Sequence, residues 1–269
     1  MLLMDFALAE RLEMSEMLRQ AAYPELLNAL EPEAEAALEE VAGGYAIALG
    51  GAFPLNRALG LGMAREVDEE DLEQVEAFYR LRGLPAEIEL CPLADSSLMM
   101  EVAARRYSVL RFSNFFVRPL HWDEEGESWS EEIRIEEVTA LDDWAWASTW
   151  ATSGEEVESD DTTFLLDRIA ARRPGVRLFL AWIDDTPAGA SALFVHEGLA
   201  TLFSTSTHPA FRGRGAQHAL LEARLSVARA EGCDLALVTT LPGSASQRNI
   251  MRAGFQVAYT KPIVRLDLE

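Results

Sequence analysis

Two stretches of this chain follow the same order of patterns, and that order restricts the fold more than any composition figure. Residues 82–120 read RGLPAEIELCPLADSSLMMEVAARRYSVLRFSNFFVRPL, and residues 231–268 read EGCDLALVTTLPGSASQRNIMRAGFQVAYTKPIVRLDL. Each gives a helix end, an apolar strand, a proline-containing turn, a serine-bearing helix, an aromatic residue and a strand with an arginine near its end. Pairing Tyr107 with Phe255 sets the offset at 148 residues. The identity is faint, but the shared order points to a duplication, a repeat to be tested before any single-domain fold.

Between the copies, HWDEEGESWSEE (121–132) is acidic and non-periodic and reads as a linker. Beyond it, IRIEEVTA alternates as a strand and LDDWAWASTWATS opens a helix on acidic residues. DDTTFLLDRIAARR has helical spacing with arginine at its end. VRLFLAWIDD, PAGASALFVHEG and LATLFSTST form a three-strand meander joined by Asp-Asp and Glu-Gly turns. The helix AQHALLEARLSVARAEG then ends on Gly232, CDLALVTT is a buried strand, GSASQRNIMRAG a helix and VAYTKPIVRLDL a last strand or hairpin.

Helices and strands alternate throughout, so the expected class is α/β, a mixed and mostly antiparallel sheet flanked by helices in each of two domains. The boundaries are 1–120 for the first, 121–132 for the linker and 133–269 for the second. The 269 residues suit two such domains, and with 49% hydrophobic residues each has material for a core. The N-terminus is apolar but acidic from Asp5 and lacks a basic leading region, which reads as cytoplasmic rather than secreted. No apolar run reaches the ~18–20 residues of a membrane span. A net charge of −22 opposes a nucleic-acid partner; it serves solubility and is also compatible with a cationic substrate. Cys91 and Cys233 sit in apolar segments as reduced core residues, with no metal-ligand spacing between them, and Lys261 is the only lysine.

Against that acidity stands STHPAFRGRGAQ (206–217), which alternates arginine with glycine directly before a helix. Taken alone it is an ordinary solvated turn or an anion site. The second reading rests on the free N–H groups of a helix start, the helix dipole, glycines that admit close approach and forked arginine donors. The first copy puts acid at this place, GLGMAREVDEED (60–71). The loop lacks the Gly-Lys-Ser/Thr of nucleotide P-loops and the spacing of dinucleotide folds.

Strand, Pro209, Arg212-Gly213-Arg214-Gly215-Ala216, helix, apolar strand and then Asn249 to Phe255 as NxxxxGF together resemble the GNAT superfamily of N-acetyltransferases. The family motif, Arg/Gln-x-x-Gly-x-Gly/Ala, is met at Arg212 and Gly215, while Gln217 stands where a small residue is usual. The resemblance covers about 131–269; the first half resembles a degenerate copy without the phosphate loop. It implies transfer of acetyl from acetyl-CoA to an amine by direct attack, with CoA as product. Ser206 and Thr207 would bond the pantetheine in strand fashion, and Gly213, Arg214, Gly215, Ala216 and Gln217 would receive the pyrophosphate beside Arg212. It also implies two parallel strands splayed apart, with a backbone N–H facing the thioester oxygen.

The tyrosine that usually protonates the leaving thiolate falls at Ile250, and the family's asparagine at Gly243. The catalytic residue is therefore unassigned, with Ser246, Asn249, Tyr259 and His208 as weak candidates. Ser246 and Asn249 either reach the cofactor or serve as caps; Tyr259 reads rather as core and His208 rather as a plain loop residue. His196 and Glu197 read as a solvated hairpin turn. Trp144, Trp146 and Trp150 are either core or an aromatic wall for the acceptor, and GSAS is a helix cap. A small-molecule or protein amine is the expected acceptor, with neither nucleic acid nor membrane as partner. A homodimer is compatible with the sequence. The rival class is a non-catalytic acyl-CoA-binding or regulatory module.

Overall fold

The computed structural model describes residues 4–51, 53–124, 126–155, 157–158 and 162–267. The chain forms two compact units, neither continuous in sequence: residues 1–116, 240–248 and 256–269 make the first, and 117–239 with 249–255 the second. The repeat suggests a boundary at 121–132, but packing follows a different line, because the chain's last strand belongs to the first unit.

In the first unit, α1 (Phe6–Ala21) starts where the Asp5 carboxylate accepts from Leu8 N–H at 2.9 Å. α2 (Tyr23–Leu30) follows. β1 (Ala37–Val41) and β2 (Gly44–Ala48) form a hairpin whose two turn residues, Ala42 and Gly43, both have positive φ. β3 (Arg57–Leu59), α3 (Glu69–Arg80), β4 (Ala86–Glu89), α4 (Ser96–Ala104) and β5 (Ser108–Pro119) complete the first copy. The strand order is β1-β2-β3-β4, then β11 (Gln256–Leu266), then β5. Thus β4 pairs antiparallel with the chain's last strand, in the register Glu89↔Ile263 and Glu87↔Arg265. One sheet face carries an apolar core around Leu72, Val75, Phe78, Ile88 and Leu98.

The other face is charged. Lys261, fully buried on β11, lies 2.7 Å from Glu13 of α1 and 3.2 Å from Glu89 of β4. Arg57 lies 2.8 Å from Glu89. Tyr259 donates to Glu13 at 2.7 Å and stacks on Phe115, and Thr260 bonds Asn114 at 2.6 Å. These bonds fix β11 in this unit.

In the second unit, β6 (Arg134–Val138), β7 (Val176–Ile183), β8 (Thr186–His196), β9 (Leu199–Thr207) and β10 (Leu235–Thr240) lie in the order β10-β9-β8-β7-β6. β6 to β9 are antiparallel neighbours, and β9 runs parallel to β10. Asp184-Asp185 and Glu197-Gly198 are the expected two-residue turns, all four at positive φ. α5 (Leu141–Ser153), α6 (Thr162–Arg172) and α7 (Ala216–Ala230) fall where the periodicity puts them, and α8 (Ala245–Arg252) divides between the units at residues 248 and 249. Trp144, fully buried against Leu178, Leu180, Ala190 and Ala192, donates its indole N–H to the Phe179 carbonyl.

The acidic segment 121–132 is irregular but tied to the second unit. Glu124 pairs with Arg118 and Arg229, Glu127 N–H donates to Glu222 at 3.1 Å, and Trp129 donates to the Ile133 carbonyl. Among the described residues no helix is long and apolar enough to cross a membrane.

Candidate functional site

β9 changes character halfway along. Its parallel pairing with β10 ends at Leu202↔Val238, although β9 continues to Thr207. At the same level its antiparallel register with β8 slips: Ala192 faces Phe203 and Ala190 faces Ser206, so Ser191 meets both Ser204 and Thr205. That two-against-one count is a β-bulge, and Ser204 carries its strain at φ 44°. Past Leu202, β9 has no strand partner on the β10 side among the described residues. This is the gap that the resemblance implies.

The end of β9 leads into the Arg-Gly loop through a 3-10 turn over Pro209–Phe211. Gly213 and Gly215 have φ of 78° and 95°, values that a residue with a Cβ adopts only with strain. The space beside Gly213 is open, and Gly215 starts α7. No side chain caps this helix and its first turn holds no acidic residue. The N–H groups of Ala216, Gln217 and His218 therefore have no intrahelical acceptor and face outward with the dipole behind them. Arg212 folds onto the Thr207 carbonyl at 3.3 Å, and Arg214 pairs with Asp184 at 3.2 Å.

The first unit shows the same position closed. Asp68 and Asp71 form a capping box on α3, and Arg65 takes Asp71 in a forked pair at 2.5 and 2.7 Å. That bond, reinforced by the Asp68 N–H, holds the Asp71 carboxyl below its ordinary value. Asp95 N–H donates to the Gly62 carbonyl at 2.8 Å, and Val67 N–H donates to Ser97 at 2.8 Å, which fastens the loop to the start of α4. Carboxylates already fill the place an anion would take.

The expected cofactor residues Ser206, Thr207 and Arg212 to Gln217 thus come together in one run along the gap and the helix start. The side-chain oxygens of Ser206 and Thr207 are buried with no hydrogen-bond partner among the described residues. Orphaned hydroxyls of this kind fit a ligand rich in amides such as pantetheine, and the open helix start fits its diphosphate. Gln217, the departure from the family motif, accepts from the Asn249 side chain at 2.5 Å and so ties α7 to α8. Asn249 is engaged there, and Ile250, in the place of the usual tyrosine, is buried.

The remaining candidates are dispersed. Ser246 is exposed in the first turn of α8, where Ser244 caps Gln247 N–H at 3.1 Å and Gln247 bonds Gly243 N–H in return, the capping role read for GSAS. Tyr259 lies in the core of the first unit, where burial and the neighbouring Glu13 push its phenol up. His208 accepts the Ala210 N–H on Nδ1 and stacks on Trp150 with centroids 3.8 Å apart. Trp150 in turn stacks on Trp146, 5.9 Å away and within 7° of parallel, which forms a ladder from the end of β9 to an exposed Trp146. Gly154, at φ 75°, lets α5 end against Pro209, where a Cβ would come within 2.9 Å of the ring. Neither the bulge at Ser204 nor the buried Arg224 of α7 stands out in the sequence; a serine among alternating residues and an arginine in a helix carry no such signal.

The site is thus an opened strand pair beside a bulge that ends at an uncapped, glycine-started helix. The model of the acetyltransferase (GNAT) family matches residues 117–255, and the chain belongs to that family, whose enzymes use acetyl-CoA as cosubstrate. Solved structures share its fold. A GCN5-related N-acetyltransferase from Kribbella flavida is 15% identical with a TM-score of 0.63, over 91% of this chain and 95% of that one. A tandem GNAT protein from the clavulanic acid biosynthesis pathway is 15% identical with a TM-score of 0.62, over 86% and 82%. A GCN5-related N-acetyltransferase from Sphaerobacter thermophilus is 18% identical with a TM-score of 0.57, over 98% and 96%. No curated protein matches the chain.

Proposed function

We propose that this protein moves the acetyl group of acetyl-CoA directly to an amine, on a small molecule or on a protein, in the cytoplasm. The observation that carries this is the continuous run from the unpaired end of β9 to the open start of α7. When bound, acetyl-CoA supplies an acyl group activated as a thioester. The N–H groups of 213–217 with Arg212 and Arg214 hold the diphosphate, and the Ser206–Thr207 backbone and hydroxyls hold the pantetheine. Backbone beyond the bulge faces the carbonyl oxygen, where negative charge develops during attack. Buried Ile250 offers no proton, so the thiolate leaves unassisted, which its low basicity permits, and the proton lost by the attacking amine passes to water. The exposed face of Trp146 suits a cationic amine.

Ile250 also favours a second reading, a protein that binds acyl-CoA without turning it over. Thermal unfolding with CoA tests what both share: a ligand at 100 times its Kd raises stability by about 2.7 kcal/mol. No shift at millimolar CoA would refute both. Thiol release from acetyl-CoA across a panel of amines then separates them, since release by the enzyme and none by the binder are the contrasting outcomes.

A further inference from the structure

Arg224 lies in the middle of α7, 2% exposed among Leu220, Leu221 and Leu225, and forms no ion pair among the described residues. Burial alone acts on its guanidinium and pushes it down to about 9, so it remains a cation at neutral pH. A cation in an apolar helix face without a carboxylate is expensive, and a leucine or methionine would pack there at less cost. Its bonds show what it does instead. Nε donates to the Leu220 carbonyl at 3.0 Å, one turn back on its own helix, and Nη1 donates to the Ala192 carbonyl on β8 at 3.2 Å.

Ala192 is not an arbitrary carbonyl. It is the last regular partner of β9 before the bulge, opposite Phe203, and the next residue, Ser191, faces Ser204 and Thr205 together. Ser191 is fully buried and its hydroxyl has no partner among the described residues. The β9–β10 pairing ends at the neighbouring Leu202. Arg224 is thus a cationic fork that clamps the helix to β8 at the level where the pairing of β9 with β10 ends and its register with β8 slips.

We propose that Arg224 is a positioning residue for acetyl transfer: by clamping the Ala192 carbonyl from α7 it fixes the Ser204 bulge and with it the backbone beside the thioester. The proposal rests on the acetyl-transfer reading for its kinetic consequence but not for its structural one.

Two variants separate the roles of Arg224. Arg224→Leu keeps most of the bulk and removes the clamp; Arg224→Lys keeps the charge and one donor. Amide hydrogen exchange of the whole protein, read by mass spectrometry on peptides covering 199–207, needs no acceptor. Exchange over 203–206 is expected to rise at least tenfold in Arg224→Leu, with 199–202 unchanged and Arg224→Lys in between. In parallel, acetyl-CoA thiol release with the best amine of the panel is expected to lose about 100-fold in kcat in Arg224→Leu, recover partly in Arg224→Lys, and keep KM for acetyl-CoA within threefold. Unchanged exchange at 203–206 in folded Arg224→Leu overturns the proposal. So does a kcat equal to that of the parent, or a loss that appears only in KM. If the parent protein releases no thiol, the acetyl-transfer reading fails, and the exchange measurement still decides whether Arg224 holds the bulge.

Discussion

Lys261 is the chain's only lysine, and the fold buries it completely between two glutamates of the first unit. Burial alone would raise the Glu89 carboxyl; Lys261 and Arg57 overcome it and hold the group down at about 2. A pair this deep is weak evidence of net stabilisation, but removing one member strands the others. Lys261→Met is therefore expected to destabilise the protein by about 3–5 kcal/mol in chemical denaturation; a loss under 1 kcal/mol would show that the glutamates relax into solvent. Because the folded Glu89 pKa lies below its ordinary 4.5, its contribution is complete above that value and is lost as pH falls from 4.5 towards 2. Acid unfolding in that window should shrink in Glu89→Gln. On the loop, Arg212→Ala and Arg214→Ala are each expected to weaken CoA binding about tenfold, the loss of one charge-assisted hydrogen bond. Calorimetry on the two variants checks this, and unchanged affinity would remove the diphosphate from this loop. The loop was legible because glycine and arginine choices are local. The partners of Lys261 were not: Glu13 stands 248 residues away, and no periodicity links them.

The helices that follow the three-strand meander of each copy, β1-β2-β3 and β7-β8-β9, differ most at their first turn. α7 begins on a left-handed glycine with no cap and no acid, whereas α3 begins on a reciprocal Asp68–Asp71 cap with Arg65 already spent on Asp71. The dipole is the same in both, so the side chains decide which one takes an anion. Titration of the full chain with CoA is thus expected to give one site per chain, unchanged in Asp68→Ala. A second site of comparable affinity in the parent would show that the first unit binds too. Most elements were readable at this scale. The helix over 141–153, the three-strand meander and its two turns follow from local periodicity and turn chemistry, and the α8 cap from the GSAS stretch. The bulge at Ser204 was not, because a register slip is set by what lies on both sides of a strand.

At the scale of the molecule, the repeat and the packing divide the chain differently. By sequence, the second copy runs from β6 through β11; by contacts, β11 completes the first unit. The reason is a set of side chains rather than any feature of the linker: Tyr259 on Phe115, Thr260 on Asn114, Lys261 on Glu13 and Glu89, and Arg265 on Glu87 at 2.5 Å. A strand held by a buried ionic cluster and four antiparallel partners along β4 does not leave while the rest stays folded. A specific protease site inserted between Glu127 and Ser128, both exposed, tests this directly. After cleavage the C-terminal fragment still carries β11, so the two fragments are expected to elute together in size exclusion and to part only in denaturant. Adding Lys261→Met to the cleaved protein should lower the denaturant concentration at which they part. Two separate folded fragments under native conditions would show that β11 returns to its own copy once the connection is cut, and that the linker, not the cluster, sets the division.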